Sequence, residues 1–133
     1  MSNLLDKLND KQREAASYTD GPLLILAGAG SGKTSVLTKR VAYLIKERNV
    51  SPKNIVAITF TNKAAKEMKE RIIKEVGKEG YDIQISTFHS FGLRIIKENY
   101  EKLGYEKNFT IIDSDDSLTV VKKILKEIMC QTE

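Results

Sequence analysis

The sequence predicts an α/β domain, a parallel sheet covered by helices on both faces. Three observations carry that prediction. Short uninterrupted apolar runs alternate with longer stretches whose apolar residues recur every three or four positions. The connections between them are short, and a glycine-rich loop joins the first run to the stretch that follows it. Such alternation implies parallel pairing through right-handed crossovers, and ligands of such sheets lie at the carboxyl ends of the strands.

Residues 1–22 read as an amphipathic helix, with Leu4, Leu5, Leu8, Ala15 and Ala16 near helical spacing and Asp20-Gly21-Pro22 as its stop. Leu23-Leu24-Ile25-Leu26-Ala27 is the first buried strand. Val36, Leu37, Val41, Leu44 and Ile45 place a packed helix over residues 33–47, and Ser51-Pro52 closes the connection. Residues 55–60 form the second strand. Residues 62–76 form the next helix, with Ala64, Ala65, Met68, Ile72 and Ile73 on one face. A third round gives a strand over 83–87 and a helix over 90–103 capped by Gly104. The last round gives a strand over 109–112 and a helix over 117–129.

The chain has 133 residues, 41% apolar and 30% charged, which suits one soluble globular domain and excludes a multidomain machine. No stretch approaches the roughly 18 apolar residues of a membrane span, and residues 1–10 lack a signal-peptide pattern. A cytoplasmic protein without membrane contact is expected. Cys130 is the single cysteine and His89 the single histidine, so neither an internal disulfide nor a Cys/His zinc cluster is available; any metal arrives with a ligand. The net charge of +4 is a mild bias toward polyanions that names none of them.

Ala27-Gly28-Ala29-Gly30-Ser31-Gly32-Lys33-Thr34 lies between the first strand and the first packed helix, where a phosphate-binding loop must lie. Its small residues let the N–H groups of residues 28–33 curl around a phosphate, and the helix that follows adds its dipole. Lys33 is placed to reach the β- and γ-phosphates, and the Thr34 hydroxyl to ligate Mg²⁺. Ala27 stands where the pattern usually begins with glycine. A ligand-free glycine turn would leave Gly-Lys-Thr at the helix start unexplained. The loop alone does not say which nucleotide is bound or what work is done.

Four segments occur in order and with consistent spacing: Leu8-Asn9-Asp10-Lys11-Gln12-Arg13-Glu14-Ala15-Ala16, the glycine loop, Ala57-Ile58-Thr59-Phe60-Thr61-Asn62-Lys63-Ala64-Ala65, and Ser86-Thr87-Phe88-His89-Ser90-Phe91. Together they closely resemble the start of the UvrD/Rep family of superfamily 1 DNA helicases, PcrA-like members included. The resemblance runs from about Leu4 to the end of the chain and covers only the first part of such an enzyme. It implies a RecA-like P-loop NTPase sheet that is incomplete here. Residues 1–113 would be a partial ATP-binding motor domain and residues 114–133 the start of an inserted helical subdomain.

On the residues alone, Gln12 reads as a solvated position on a surface helix; the resemblance implies that it reads adenine, whose amino group and N7 a carboxamide can pair. Gln12 with Gly28, Ala29, Gly30, Ser31, Gly32, Lys33, Thr34 and Ser35 would then hold Mg²⁺·ATP. Many relatives carry an arginine that stacks on adenine where this chain has Ser35. On spacing alone, Phe60 reads equally as a core residue, and Lys63 as a solvated charge, or both as contacts to nucleic acid. The resemblance implies that Phe60, Thr61, Asn62 and Lys63 meet single-stranded DNA, the aromatic under a base and the polar groups on phosphates. It places Thr87, His89 and Ser90 on the DNA backbone too, although a lone histidine at a strand end is ordinarily a structural hydrogen-bonder. Residues 62–79 mix six basic with four acidic side chains, the pattern of a solvated face. Cys130 and the five tyrosines receive no role.

Hydrolysis by such a protein needs a carboxylate on the metal at a strand end, and Phe109-Thr110-Ile111-Ile112-Asp113 offers one candidate. A self-contained P-loop ATPase or phosphotransferase using Asp113 is therefore the alternative. Asp113-Ser114-Asp115-Asp116 also reads as a helix start, which the acidic groups suit. The expectation is a chain that binds ATP without turning it over, within a parent helicase that acts on single-stranded DNA and a duplex junction. Unpaired strand edges further predict self-association.

Overall fold

The computed structural model describes residues 4–130. The chain is α/β, with a two-stranded parallel sheet, and it divides into two compact units, one ending at Arg94 and one beginning at Ile95. Among the described residues, no helix is long and apolar enough to cross a membrane.

The first unit opens with a turn that buries Leu5 and Leu8, followed by α1 (Asp10–Ser17). Asn9 starts α1 through a reciprocal capping box, its side chain accepting from the Gln12 N–H. This helix is shorter than the 22-residue expectation, for two physical reasons. The cap fixes where it begins. In and just beyond its last turn, the Arg40 guanidinium takes the carbonyls of Ala15 (3.0 Å) and Tyr18, and Arg48 takes the Thr19 hydroxyl at 2.9 Å. These bonds hold the departing chain in an extended path.

Residues 23–27 have no regular secondary structure and join no ladder among the described residues. The expected first strand is therefore corrected: Leu24 and Leu26 are 81% and 86% exposed, and Ile25 alone leans on the small cluster of Leu5, Leu8, Ala16 and Val36. An apolar run becomes a buried strand only when neighbours supply hydrogen bonds and cover its faces. After the glycine loop, α2 (Lys33–Lys46) buries Val36, Ala42 and Ile45 at helical spacing. Its end is closed by Asn49 in the left-handed region (φ 54°) and by the Val50 N–H on the Leu44 carbonyl at 2.9 Å.

A turn at Pro52–Asn54 leads to β1 (Val56–Thr59), then α3 (Asn62–Val76), a 3-10 stretch (Gly77–Asp82) and β2 (Gln84–Thr87). The strands pair in parallel, with Val56 opposite Gln84 and Thr59 opposite Thr87. Ile55, Ala57, Ile83 and Ile85 turn toward Met68, Ile72 and Val76 of α3 and toward Ala42 and Ile45 of α2. This cluster is the main core, and Ile72 is its largest fully buried side chain. An ion pair from Lys39 to Glu75 at 2.8 Å, with side chains 13% and 31% exposed, ties α2 to α3. Lys46 adds a hydrogen bond to the Glu75 carbonyl. Gly80 packs directly on Ile73 and Val76, where a Cβ would stand 2.9 Å from Ile73 Cγ1.

α4 (Phe88–Glu98) begins immediately after β2, two residues ahead of the sequence expectation, because the Thr87 hydroxyl caps it. In the second unit a 3-10 turn (Glu101–Leu103) ends at Gly104, and Tyr105 and Phe109 place their rings 5.7 Å apart. Residues 109–112 form no strand, with Ile111 and Ile112 exposed, so the expected fourth strand is also corrected. α5 (Ser114–Cys130) starts three residues before the expected position because Asp113 caps it; its Oδ1 accepts from the N–H groups of Asp115 (2.9 Å) and Asp116 (2.8 Å).

Candidate nucleotide site and aromatic strand-end surface

The glycine loop sits between the apolar run 23–27 and the first turn of α2. Gly30 (φ 76°) and Gly32 (φ 84°) lie in the left-handed region, while Ser31 between them and Ala29 ahead of them stay outside it. Alternation of this kind turns successive N–H groups toward one side and makes a concavity for an anion. Ser31 closes the turn, its N–H 3.3 Å and its hydroxyl 2.6 Å from the Gly28 carbonyl. A Cβ added at Gly28 or Gly30 would meet nothing within 4 Å, so the mouth of the loop is open.

Lys33 folds back over this mouth. Its Nζ donates to the carbonyls of Ala27 (2.8 Å) and Gly28 (2.6 Å), so the cation rests on loop oxygens. Thr34 follows on the exposed first turn of α2, and Ser35 is half-buried beside it. Thr38, which sequence reading passed over, is buried and donates its hydroxyl to the carbonyls of Thr34 and Ser35 at 3.0 Å each. Its signal was a threonine one turn after Gly-Lys-Thr on an otherwise apolar face.

Gln12 is not a solvated bystander. Its Nε2 donates to the Ser31 carbonyl at 3.0 Å, bridging α1 to the glycine loop across 19 positions of sequence. The structure thus gathers Gln12, Gly28, Ala29, Gly30, Ser31, Gly32, Lys33, Thr34 and Ser35 around one loop.

A second group forms where the two strands end. Phe60 follows β1 and Phe88 follows β2; because Thr59 pairs with Thr87, the two rings come side by side, centroids 5.7 Å apart and planes tilted by 50°. Phe60 is 89% exposed and Phe88 56% exposed, so Phe60 fills no core. Phe88 went unassigned in the sequence, although it has the same strand-end position as Phe60. Thr61 and Thr87 are caps here. The Thr61 hydroxyl accepts from the Ala64 N–H at 3.1 Å, and buried Thr87 accepts from the Ser90 N–H at 3.2 Å while donating to the Ser90 hydroxyl at 3.0 Å. Asn62, Lys63 and His89 stand exposed on the first turns of α3 and α4. The arrangement offers an apolar stacking surface rimmed by polar groups and a cation.

Residues 8–133 match the family model described as UvrD/REP helicase N-terminal domain. ATP-dependent DNA helicase PcrA of Staphylococcus aureus (strain NCTC 8325 / PS 47) and that of Bacillus subtilis (strain 168) are each 56% identical over 126 residues. Those residues are 95% of this chain and 17% of the length of each relative. The chain belongs to the UvrD/REP helicase N-terminal domain family.

Proposed function

We propose that this chain is the ATP-binding opening of a DNA helicase motor. The observation that carries the reading is the glycine loop, with left-handed Gly30 and Gly32, Lys33 at its mouth and Gln12 bonded to its wall. Phosphate oxygens are stronger partners for an ammonium than two neutral carbonyls. On binding, Lys33 leaves Ala27 and Gly28 for the β- and γ-phosphates, and the N–H groups of residues 28–33 take the oxygens around it. Thr34 holds the Mg²⁺ that accompanies ATP and neutralises the phosphate charge. Gln12 reads the adenine edge, and Ser35 lines the same side.

Phe60 stacks on an unpaired base with Phe88 beside it, while Asn62, Lys63 and His89 hold phosphates, and Thr61, Thr87 and Ser90 fix the helix starts that present them. In the whole protein, ATP binding and hydrolysis would move this surface along single-stranded DNA toward a duplex junction, in the cytoplasm. The sheet is proposed to be of the RecA-like, doubly covered kind, with residues 1–113 part of the motor domain and residues 114–133 the start of an inserted helical subdomain. Exposed Leu24 and Leu26 support self-association of the isolated chain; a clean monomer at high concentration in light scattering would count against it.

This stretch by itself binds ATP without turnover, a reading supported by Asp113, whose Oδ1 is committed to two N–H groups at the start of α5. The test is ATP binding and phosphate release by the folded chain, with and without single-stranded DNA, beside Lys33→Ala. Binding that falls at least about tenfold in the variant, with no release from either protein, is expected. Steady release that Lys33→Ala abolishes would overturn the reading in favour of a self-contained ATPase.

A further inference from the structure

Both ends of the Gln12 carboxamide are engaged, and their partners leave no freedom in which end is which. The Asn9 backbone N–H, at 3.1 Å, can only donate and so must meet Oε1; the Ser31 carbonyl, at 3.0 Å, can only accept and so must meet Nε2. The first of these bonds depends on the Asn9 side chain, because its Oδ1 holds the Gln12 N–H at 2.9 Å and closes the capping box. The second depends on Gly32, where a Cβ would stand 3.1 Å from Nε2.

A carboxamide fixed in this way presents one remaining acceptor site and one remaining donor hydrogen in a set order. Adenine offers an acceptor at N7 beside an amino donor, whereas guanine offers acceptors at both N7 and O6. A fixed amide matches adenine and sets its oxygen against guanine O6. An amide free to turn could bring Nε2 to either guanine acceptor and would discriminate less. We propose that Asn9 is a positioning residue for purine selection, acting through Gln12 rather than on the nucleotide; this rests on the reading above that Gln12 meets adenine.

The test titrates the wild-type chain, Asn9→Ser, Asn9→Gly and Gln12→Ala with ATP, GTP and inorganic tripolyphosphate by calorimetry, with folding followed by circular dichroism. Asn9→Gly removes the side-chain acceptor yet still begins a helix nearly as well as asparagine, so it remains folded. It is expected to lower the ATP-to-GTP affinity ratio about three- to tenfold, the range one hydrogen bond supplies, with tripolyphosphate affinity unchanged. Asn9→Ser keeps an acceptor and is expected to keep the ratio. Equal weakening of all three ligands in Asn9→Gly would reveal a purely structural cap and overturn the proposal. So would an unchanged ratio in Asn9→Gly while Gln12→Ala flattens it, which leaves the role of Gln12 standing. An unchanged ratio in Gln12→Ala, or no ATP binding by the folded wild-type chain, would overturn the underlying reading and the proposal with it.

Discussion

Alanine at Gly28, Gly30 and Gly32, one at a time, separates what the glycine loop needs for folding from what it needs for a ligand. At Gly28 the backbone is outside the left-handed region and a Cβ meets nothing within 4 Å. Folding then gains only the reduced freedom of the unfolded chain, about 0.4–1 kcal/mol. At Gly30, with φ 76° and equally open space, the left-handed conformation costs an L-residue about 1–2 kcal/mol, which exceeds that gain. At Gly32, with φ 84°, the same strain applies, and the Cβ also presses on Gln12 Nε2. Loss of the Gln12–Ser31 bond adds about 0.5–1.5 kcal/mol. The predicted order of stability is Gly28→Ala at or above wild type, then Gly30→Ala, then Gly32→Ala lowest by about 1–3 kcal/mol. Urea unfolding followed by circular dichroism reads it. ATP affinity is expected to fall in all three, Gly28→Ala included, because the added methyl occupies space that only a bound phosphate uses. A Gly28→Ala protein as unstable as Gly32→Ala, or one that binds ATP like wild type, would refute the reasoning.

Other predictions test packing and the strand-end surface. Gly80→Ala drives a methyl to 3.1 Å from the Ile73 Cα and 3.2 Å from Val76 Cγ2, so a destabilisation of about 1–3 kcal/mol is expected in the same unfolding assay. Gly92→Ala meets nothing within 4 Å inside α4 and should stabilise by about 0.5–1 kcal/mol. A double-mutant cycle on Lys39 and Glu75 is expected to return a coupling of about 1 kcal/mol, at the upper end for such pairs because both side chains are mostly covered. Phe60→Ala should leave stability within about 0.5 kcal/mol of wild type, since the ring is 89% exposed. It should weaken single-stranded DNA binding by about 1–3 kcal/mol in fluorescence anisotropy. Equal affinity for DNA in that variant would remove the stacking role.

The sequence made the locally determined parts of this fold legible. α3 runs over residues 62–76 as its apolar spacing foretold, and α2 ends within one residue of expectation, because periodicity and the flanking glycine and proline act within a few positions. The two failed strands share another cause. Residues 23–27 and 109–112 are apolar enough for buried strands, yet strand formation depends on a neighbour that local composition cannot supply. The glycine loop was readable because glycine, lysine and threonine at fixed offsets have few other uses. Phe88 and Asn9 were not, since their significance arises from strand register and from a reciprocal cap, both relations between residues.

The position of the aromatic pair depends on the opposite end of the sheet. Phe60 and Phe88 are neighbours only because Thr59 lies across from Thr87, and that alignment is set where Ile55, Ala57, Ile83 and Ile85 lock against Met68, Ile72 and Val76. Sliding one strand by a single residue would carry its partner ring about 3.3 Å along the sheet and turn every inward side chain outward. The apolar interior therefore works as a ruler for the exposed aromatics, so a mutation at Ile72 that shrinks the core without unfolding the chain would be felt as a changed spacing between the two rings.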